Sequence, residues 1–140
     1  MFKKIILCLP VMFSGFTYAS CSVPNSLENM TLINHVESQY SATNPNAGAI
    51  SKVTYTTDRY LNEFLNKEIG PFTGSYTYKV LDDENGVGIY LGDETKPLNK
   101  PSHTVIFKCL TDKYGMAIFT QISGANEPVG RQNTLTYTIM

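Results

Sequence analysis

Apolar and polar positions alternate strictly through much of the second half of the chain, the mark of half-buried β-strands. The C-terminal stretch is the plainest case, with Leu135, Tyr137 and Ile139 on one face and Thr134, Thr136 and Thr138 on the other. Between Ser75 and Leu81, Tyr76, Tyr78 and Val80 alternate with Thr77 and Lys79. Val87, Ile89 and Leu91 then alternate with Gly88 and Tyr90. These residue types fit a pleated surface. Turn chemistry separates the runs. Asp82-Asp83-Glu84-Asn85-Gly86 closes on an Asn-Gly pair, a strong hairpin signal. Thr111 to Gly115 reads as a tight turn between strands Thr104–Leu110 and Met116–Ile122. Longer polar connections, each holding proline, are expected over Gly92–Pro101 and Gly124–Gly130.

Upstream, Met30–Ser38 and Ile50–Thr57 read as strands separated by the turn Asn44-Pro45-Asn46-Ala47-Gly48. Asp58–Lys67 has two readings. Asp58 is a fit cap for a short helix with Leu61, Phe64 and Leu65 on one stripe; the alternative, which we prefer, is a strand paired with its predecessor. The chain then holds eight short strands joined in sequence by hairpins. The expected fold is all-β, an antiparallel up-and-down eight-stranded barrel, whose closure removes exposed edges. A β-sandwich is the second choice.

From Thr73 onward the residues support a resemblance. Thr73-Gly74-Ser75-Tyr76-Thr77-Tyr78, Asn85-Gly86-Val87-Gly88-Ile89, His103-Thr104-Val105-Ile106-Phe107 and Gly115-Met116-Ala117-Ile118-Phe119-Thr120 form a pattern similar to that of small bacterial exported proteins that resemble the lipocalin-like, or calycin, barrels. The likeness covers roughly Thr73 to Met140 and is carried by glycines, aromatics and hairpin spacing. The chain has no tryptophan, so the glycine–tryptophan signature of the lipocalins proper is absent. What the resemblance implies is architecture, with ligand binding as a further expectation.

The N-terminus changes the picture by assigning a compartment. Lys3 and Lys4 precede an apolar run from Ile5 to Phe16, and small residues follow at Thr17, Ala19 and Ser20, the layout of a cleaved export signal. The run is broken by Pro10, Ser14 and Gly15 and falls short of the about 20 apolar residues of a transmembrane helix. Residues 1–19 are therefore expected to be removed, leaving a single domain over 20–140 that is periplasmic or secreted. Loss of Cys8 leaves two cysteines, Cys21 and Cys109, and in an exported protein such a pair reads as one disulfide. The rival reading makes Cys21 the lipid-bearing residue of a lipoprotein, with Tyr18 where leucine is usual.

Twelve acidic residues stand against nine basic ones once Lys3 and Lys4 are removed from eleven, a net charge of −3. That balance lacks the clustered basic footprint of a nucleic-acid binder and does not suit an anionic membrane surface. An outer-membrane barrel requires an unbroken apolar outer band, which Lys52, Lys79 and Lys108 interrupt. No membrane span is expected.

Candidate chemistry is sparse. His35 and His103 stand far apart, and with both cysteines oxidised they do not make up a zinc set. No Gly-x-Ser-x-Gly elbow marks a nucleophile. The acidic turn at 82–86 fails the EF-hand pattern, because Leu81 and Gly92 fall where carboxylates are required. Asn29-Met30-Thr31 matches a glycosylation sequon, relevant only on a eukaryotic secretory route. Neither a cofactor nor an enzymatic role is expected. What remains is aromatic. Tyr55, Tyr76, Tyr78, Phe107 and Tyr137 fall on strand faces aimed inward, either as filler of a small barrel or as the lining of a partly polar pocket. The resulting expectation is a barrel that binds a small apolar or amphipathic ligand through these five residues. The alternative is an inhibitor, adhesin or envelope accessory protein that meets an envelope or host protein through the Gly92–Pro101 and Gly124–Arg131 loops.

Overall fold

Eight antiparallel strands close into a barrel in simple sequence order. The structure, a computed structural model, describes residues 21–96, 102–121 and 130–140. The strands are β1 (Thr31–Val36), β2 (Ile50–Tyr55), β3 (Arg59–Phe64), β4 (Phe72–Asp82), β5 (Val87–Lys96), β6 (Ser102–Thr111), β7 (Tyr114–Gln121) and β8 (Arg131–Ile139). Each pairs with the next, and β8 returns to β1 from Leu32↔Ile139 to Val36↔Leu135, so the sheet has no free edge. No helix occurs among the described residues. The segment with two readings is strand β3, held in register with β2 from Ser51↔Phe64 to Tyr55↔Tyr60.

One expected loop is partly strand. Residues 92–96 continue β5, with Gly92 opposite Tyr76 and Glu94 opposite Gly74. Their polar composition disguised them: Gly92 and Glu94 are buried on the inner face, where a binary pattern expects apolar side chains. The rest of that connection, residues 97–101, residues 124–129 of the other predicted loop, and residue 122 at the end of the strand expected over Met116–Ile122 lie outside the described residues. So do residues 1–20, on which the export signal was read.

The two ends of the barrel are filled differently. At one end lie the β2–β3, β4–β5 and β6–β7 turns, and the segment before β1 packs across them. Its Val23 and Leu27 are almost wholly buried, the Asn29 amide donates to the Tyr55 carbonyl at 3.1 Å, and the Ser22 amide donates to Asp112 at 3.3 Å. Cys21 is disulfide-bonded to Cys109 of β6. That bond engages the Cys21 sulfur and so displaces the lipid-anchor reading. Gly86, at φ 59°, brings the Asn85-Gly86 turn against the Cys109 sulfur and the Cys21 carbonyl, and its carbonyl accepts from the Cys109 amide at 3.0 Å.

Large rings inside the barrel sit over glycines. A Cβ on Gly88 would lie 2.5 Å from the Tyr78 hydroxyl, and one on Gly92 would lie 2.6 Å from both the His103 and Tyr90 rings. Such small-against-large alternation lets aromatic side chains fill a narrow interior. At Gly74 the crowding is by backbone instead. A Cβ there would meet the Asp93 carbonyl carbon and the Glu94 Cα at 2.8 Å each, beside the register shift between Thr73 and Gly74. Backbone cannot swing aside as a side chain does, so Gly74→Ala should destabilise the fold by about 2–3 kcal/mol, the upper part of the range for overpacking. A urea midpoint equal to that of the wild type would show that the bulge yields freely.

On the outer face, Lys52, Lys79 and Lys108 are exposed. Ile89, Ile106 and Ile118 stand in one lateral row across β5, β6 and β7, with Leu91 and Met116 on the same outer surface. No helix of the described residues is long and apolar enough to cross a membrane.

Candidate functional site

A cavity of about 140 Å³ opens at the end of the barrel opposite the disulfide. The β1–β2 connection contributes Pro45 and Asn46 to its wall, and strands contribute the rest. Asn44 anchors this connection. Its side-chain amide donates to the carbonyls of Gln39 (2.9 Å) and Glu37 (3.3 Å).

Aromatic rings form much of the lining. Tyr90 is central: it stacks on Tyr76 at 5.4 Å and meets Tyr55 and Tyr60 edge-on at 6.1 and 6.0 Å. His103 lies among Tyr60, Tyr90 and Phe119 at 5.7, 5.4 and 5.2 Å. Phe64 and Phe72, 5.8 Å apart, complete the wall toward the mouth. Offset and edge-to-face contacts of this kind hold rings in fixed positions, so the lining is preformed.

Polar side chains from several strands share the same space. Asn34 of β1, Ser51 of β2, Asn62 of β3, Glu94 of β5, Gln121 of β7 and Asn133 of β8 all line the cavity, and Arg131 stands at the first position of β8. The Oδ1 atoms of Asn34, Asn62 and Asn133 are buried and have no hydrogen-bond partner. An unpartnered buried acceptor costs on the order of 1–3 kcal/mol, and native folds rarely tolerate one without a reason. Asn34, Asn62 and Asn133, from β1, β3 and β8, bring carboxamide side chains to a cavity otherwise walled largely by rings. Glu94 adds a buried carboxylate whose charge acts on Tyr60.

The five aromatics expected from the alternation separate along the barrel. Tyr55 lines the cavity. Tyr76 lies behind Tyr90, its hydroxyl donating to the Thr56 carbonyl at 2.7 Å. Tyr78, Phe107 and Tyr137 belong to the packed core, with Phe107 edge-on to Tyr78 at 6.2 Å and to Tyr137 at 5.3 Å. The structure adds Tyr60, Phe64, Phe72, Tyr90 and Phe119 to the lining, together with the asparagines. His35 points outward and is exposed. At the acidic turn, the Asp82 carboxylate accepts from the Asn85 amide (3.0 Å) and side chain (2.7 Å), which lowers its pKa.

Burial raises the pKa of Tyr55, Tyr60 and Tyr90 well above the tyrosine value; neighbouring tyrosines push Tyr55 and Tyr90 further, and Glu94 and Asp93 push Tyr60. Tyr78 is pushed up to about 12, chiefly by burial. Because these folded-state values lie above the unfolded value of about 10, their contribution to stability is complete below that pH. It is lost as pH rises from there through the folded values. Thermal stability should therefore fall steeply above about pH 10, with tyrosinate absorbance of the interior set appearing together with unfolding. An interior set that ionises near its ordinary value in an intact barrel would contradict this burial.

Fold and cavity together define a class: a closed up-and-down eight-stranded barrel, consistent with a lipocalin-like fold, with an aromatic and polar pocket at one end. No protein-family model, curated protein or solved structure matches the chain.

Proposed function

We propose that this protein is an exported binding barrel that holds a small amphipathic ligand in its end cavity. The carrying observation is the end cavity itself, where polar side chains of Asn34, Ser51, Asn62, Gln121 and Asn133 share a wall with aromatic rings held by their mutual contacts. An apolar core gains nothing from such groups, whereas a ligand site uses a few placed polar atoms on an apolar lining to set orientation. The Cys21–Cys109 disulfide supports export, because such bonds persist in oxidising compartments. The proposed activity is binding, with no chemical step assigned.

Native mass spectrometry of the protein recovered from the exported fraction tests this reading. A retained small molecule is expected on the wild type and not on Asn62→Phe, which fills the cavity. Thermal unfolding checks that the variant has kept its fold. Bare polypeptide for both, with no small probe taken up by the wild type, would refute it. The same intact mass reports cleavage after Ala19.

A further inference from the structure

We propose that the cavity selects a carboxylate carried on a ring-sized apolar body and held at the mouth by Arg131. The inference rests on the cavity being a ligand site and names what that site prefers. Arg131 and Asn133 take the first two inward positions of β8, opposite Gln121 and Phe119 of β7, and both line the cavity. Residues two apart on a strand share a face at a spacing of about 7 Å, so both side chains can reach one small group. The Arg131 guanidinium has neither a hydrogen bond nor an ion pair among the described residues. Its planar fork of N–H donors matches a carboxylate in two parallel bonds. The carboxamide oxygens of Asn34, Asn62 and Asn133 are turned into the wall and have no surface of their own. The carboxamide ends left to the cavity are therefore the nitrogens, which only donate. Burial raises the pKa of Tyr55, Tyr60 and Tyr90, so their hydroxyls stay protonated and can donate as well.

A carboxylate brings acceptors to these donors, whereas an ammonium group brings more donors and meets Arg131 as a like charge. Glu94 is the lining group that favours the opposite choice, a cation. It stands on β5, with β6 and β7 between it and Arg131, three strand spacings or about 14 Å around the wall. The two charges thus belong to different sides of the cavity. Arg131 is half-buried at the start of β8, so a carboxylate bound there keeps part of its hydration and escapes the full cost of burying a charge. Size follows from volume. The cavity, about 140 Å³, is close to an engineered cavity of about 150 Å³ that accommodates benzene, so the apolar body is about one ring.

The test is titration calorimetry of the full, disulfide-bonded protein at neutral pH with benzoate, benzyl alcohol and benzylamine, which share one ring and differ in the polar group. Benzoate should bind at least about tenfold more tightly than benzyl alcohol, and benzylamine more weakly than either. Arg131→Gln should remove most of the advantage of benzoate over the alcohol, and alcohol binding that persists shows that the cavity survives. Arg131→Lys, which keeps the charge without the planar fork, should fall between the two. Equal affinities in the wild type, a preference for benzylamine, or a benzoate advantage that survives Arg131→Gln would overturn carboxylate selection by Arg131 and leave the binding reading standing. Binding of none of the three to the wild type would overturn both.

Discussion

Replacing Cys21 and Cys109 together by serine should destabilise the protein by about 4–5 kcal/mol, the chain-entropy value for so long a loop. The two residues are 88 apart in sequence, so the bond removes freedom from most of the unfolded chain. For a domain of this size that loss should lower Tm by on the order of 10–20 °C. The bond also holds the segment bearing Val23 and Leu27 across the closed end of the barrel. Amide hydrogens at the two anchoring points, Asn29 to Tyr55 and Ser22 to Asp112, should then exchange earlier than those of the strands. Calorimetric scans of the double variant, and of the wild type with reductant, should agree. An unchanged Tm in both would mean that the apolar plug is held without the disulfide.

Tyr137→Ala should cost about 3–5 kcal/mol, as deletion of a large buried ring does. Tyr137 is 2% exposed and lies edge-on to Phe107 at 5.3 Å. It occupies the space over Gly115, where a Cβ would come within 2.6 Å of its ring. The neighbouring backbone belongs to closed strands and cannot collapse far into the void. Asn62→Leu makes the contrast. It removes an unpartnered carboxamide oxygen from the opposite end, and replacing such a group by an apolar one of similar size is close to neutral or stabilising. Denaturant midpoints for the two variants should therefore separate packed core from cavity. Comparable losses for both would mean that the asparagine is a structural group.

Most of the fold was legible because period-two alternation and turn chemistry are local. Leu135, Tyr137 and Ile139 do face inward, and the Asn85-Gly86 pair does close a hairpin. The sense of a face is harder to read. In Val87-Gly88-Ile89-Tyr90-Leu91 the aliphatic residues turn outward and the glycine and tyrosine inward, because rings need the space that glycines leave. Tyr90, the centre of the aromatic lining, could not be placed from β5 alone. The asparagines left a fainter trace. Asn34 is in phase with Leu32 and Val36, Asn62 with Tyr60 and Phe64, and Asn133 with Leu135 and Tyr137. A polar residue in phase with an apolar face is the local signature of a lined cavity. That all three line one cavity depends on closure of β8 against β1, which no single strand encodes.

The most direct test of the central claim is an NMR titration of the labelled, disulfide-bonded protein with benzoate or benzyl alcohol. The account predicts shifts of the side-chain amide resonances of Asn34, Asn62 and Asn133, together with those of the Tyr60, Tyr90 and Phe119 rings. Tyr78, Phe107 and Tyr137 at the packed end should stay in place. Shifts confined to the packed end or to the outer row of Ile106 and Ile118, or no shifts with either probe, would contradict it.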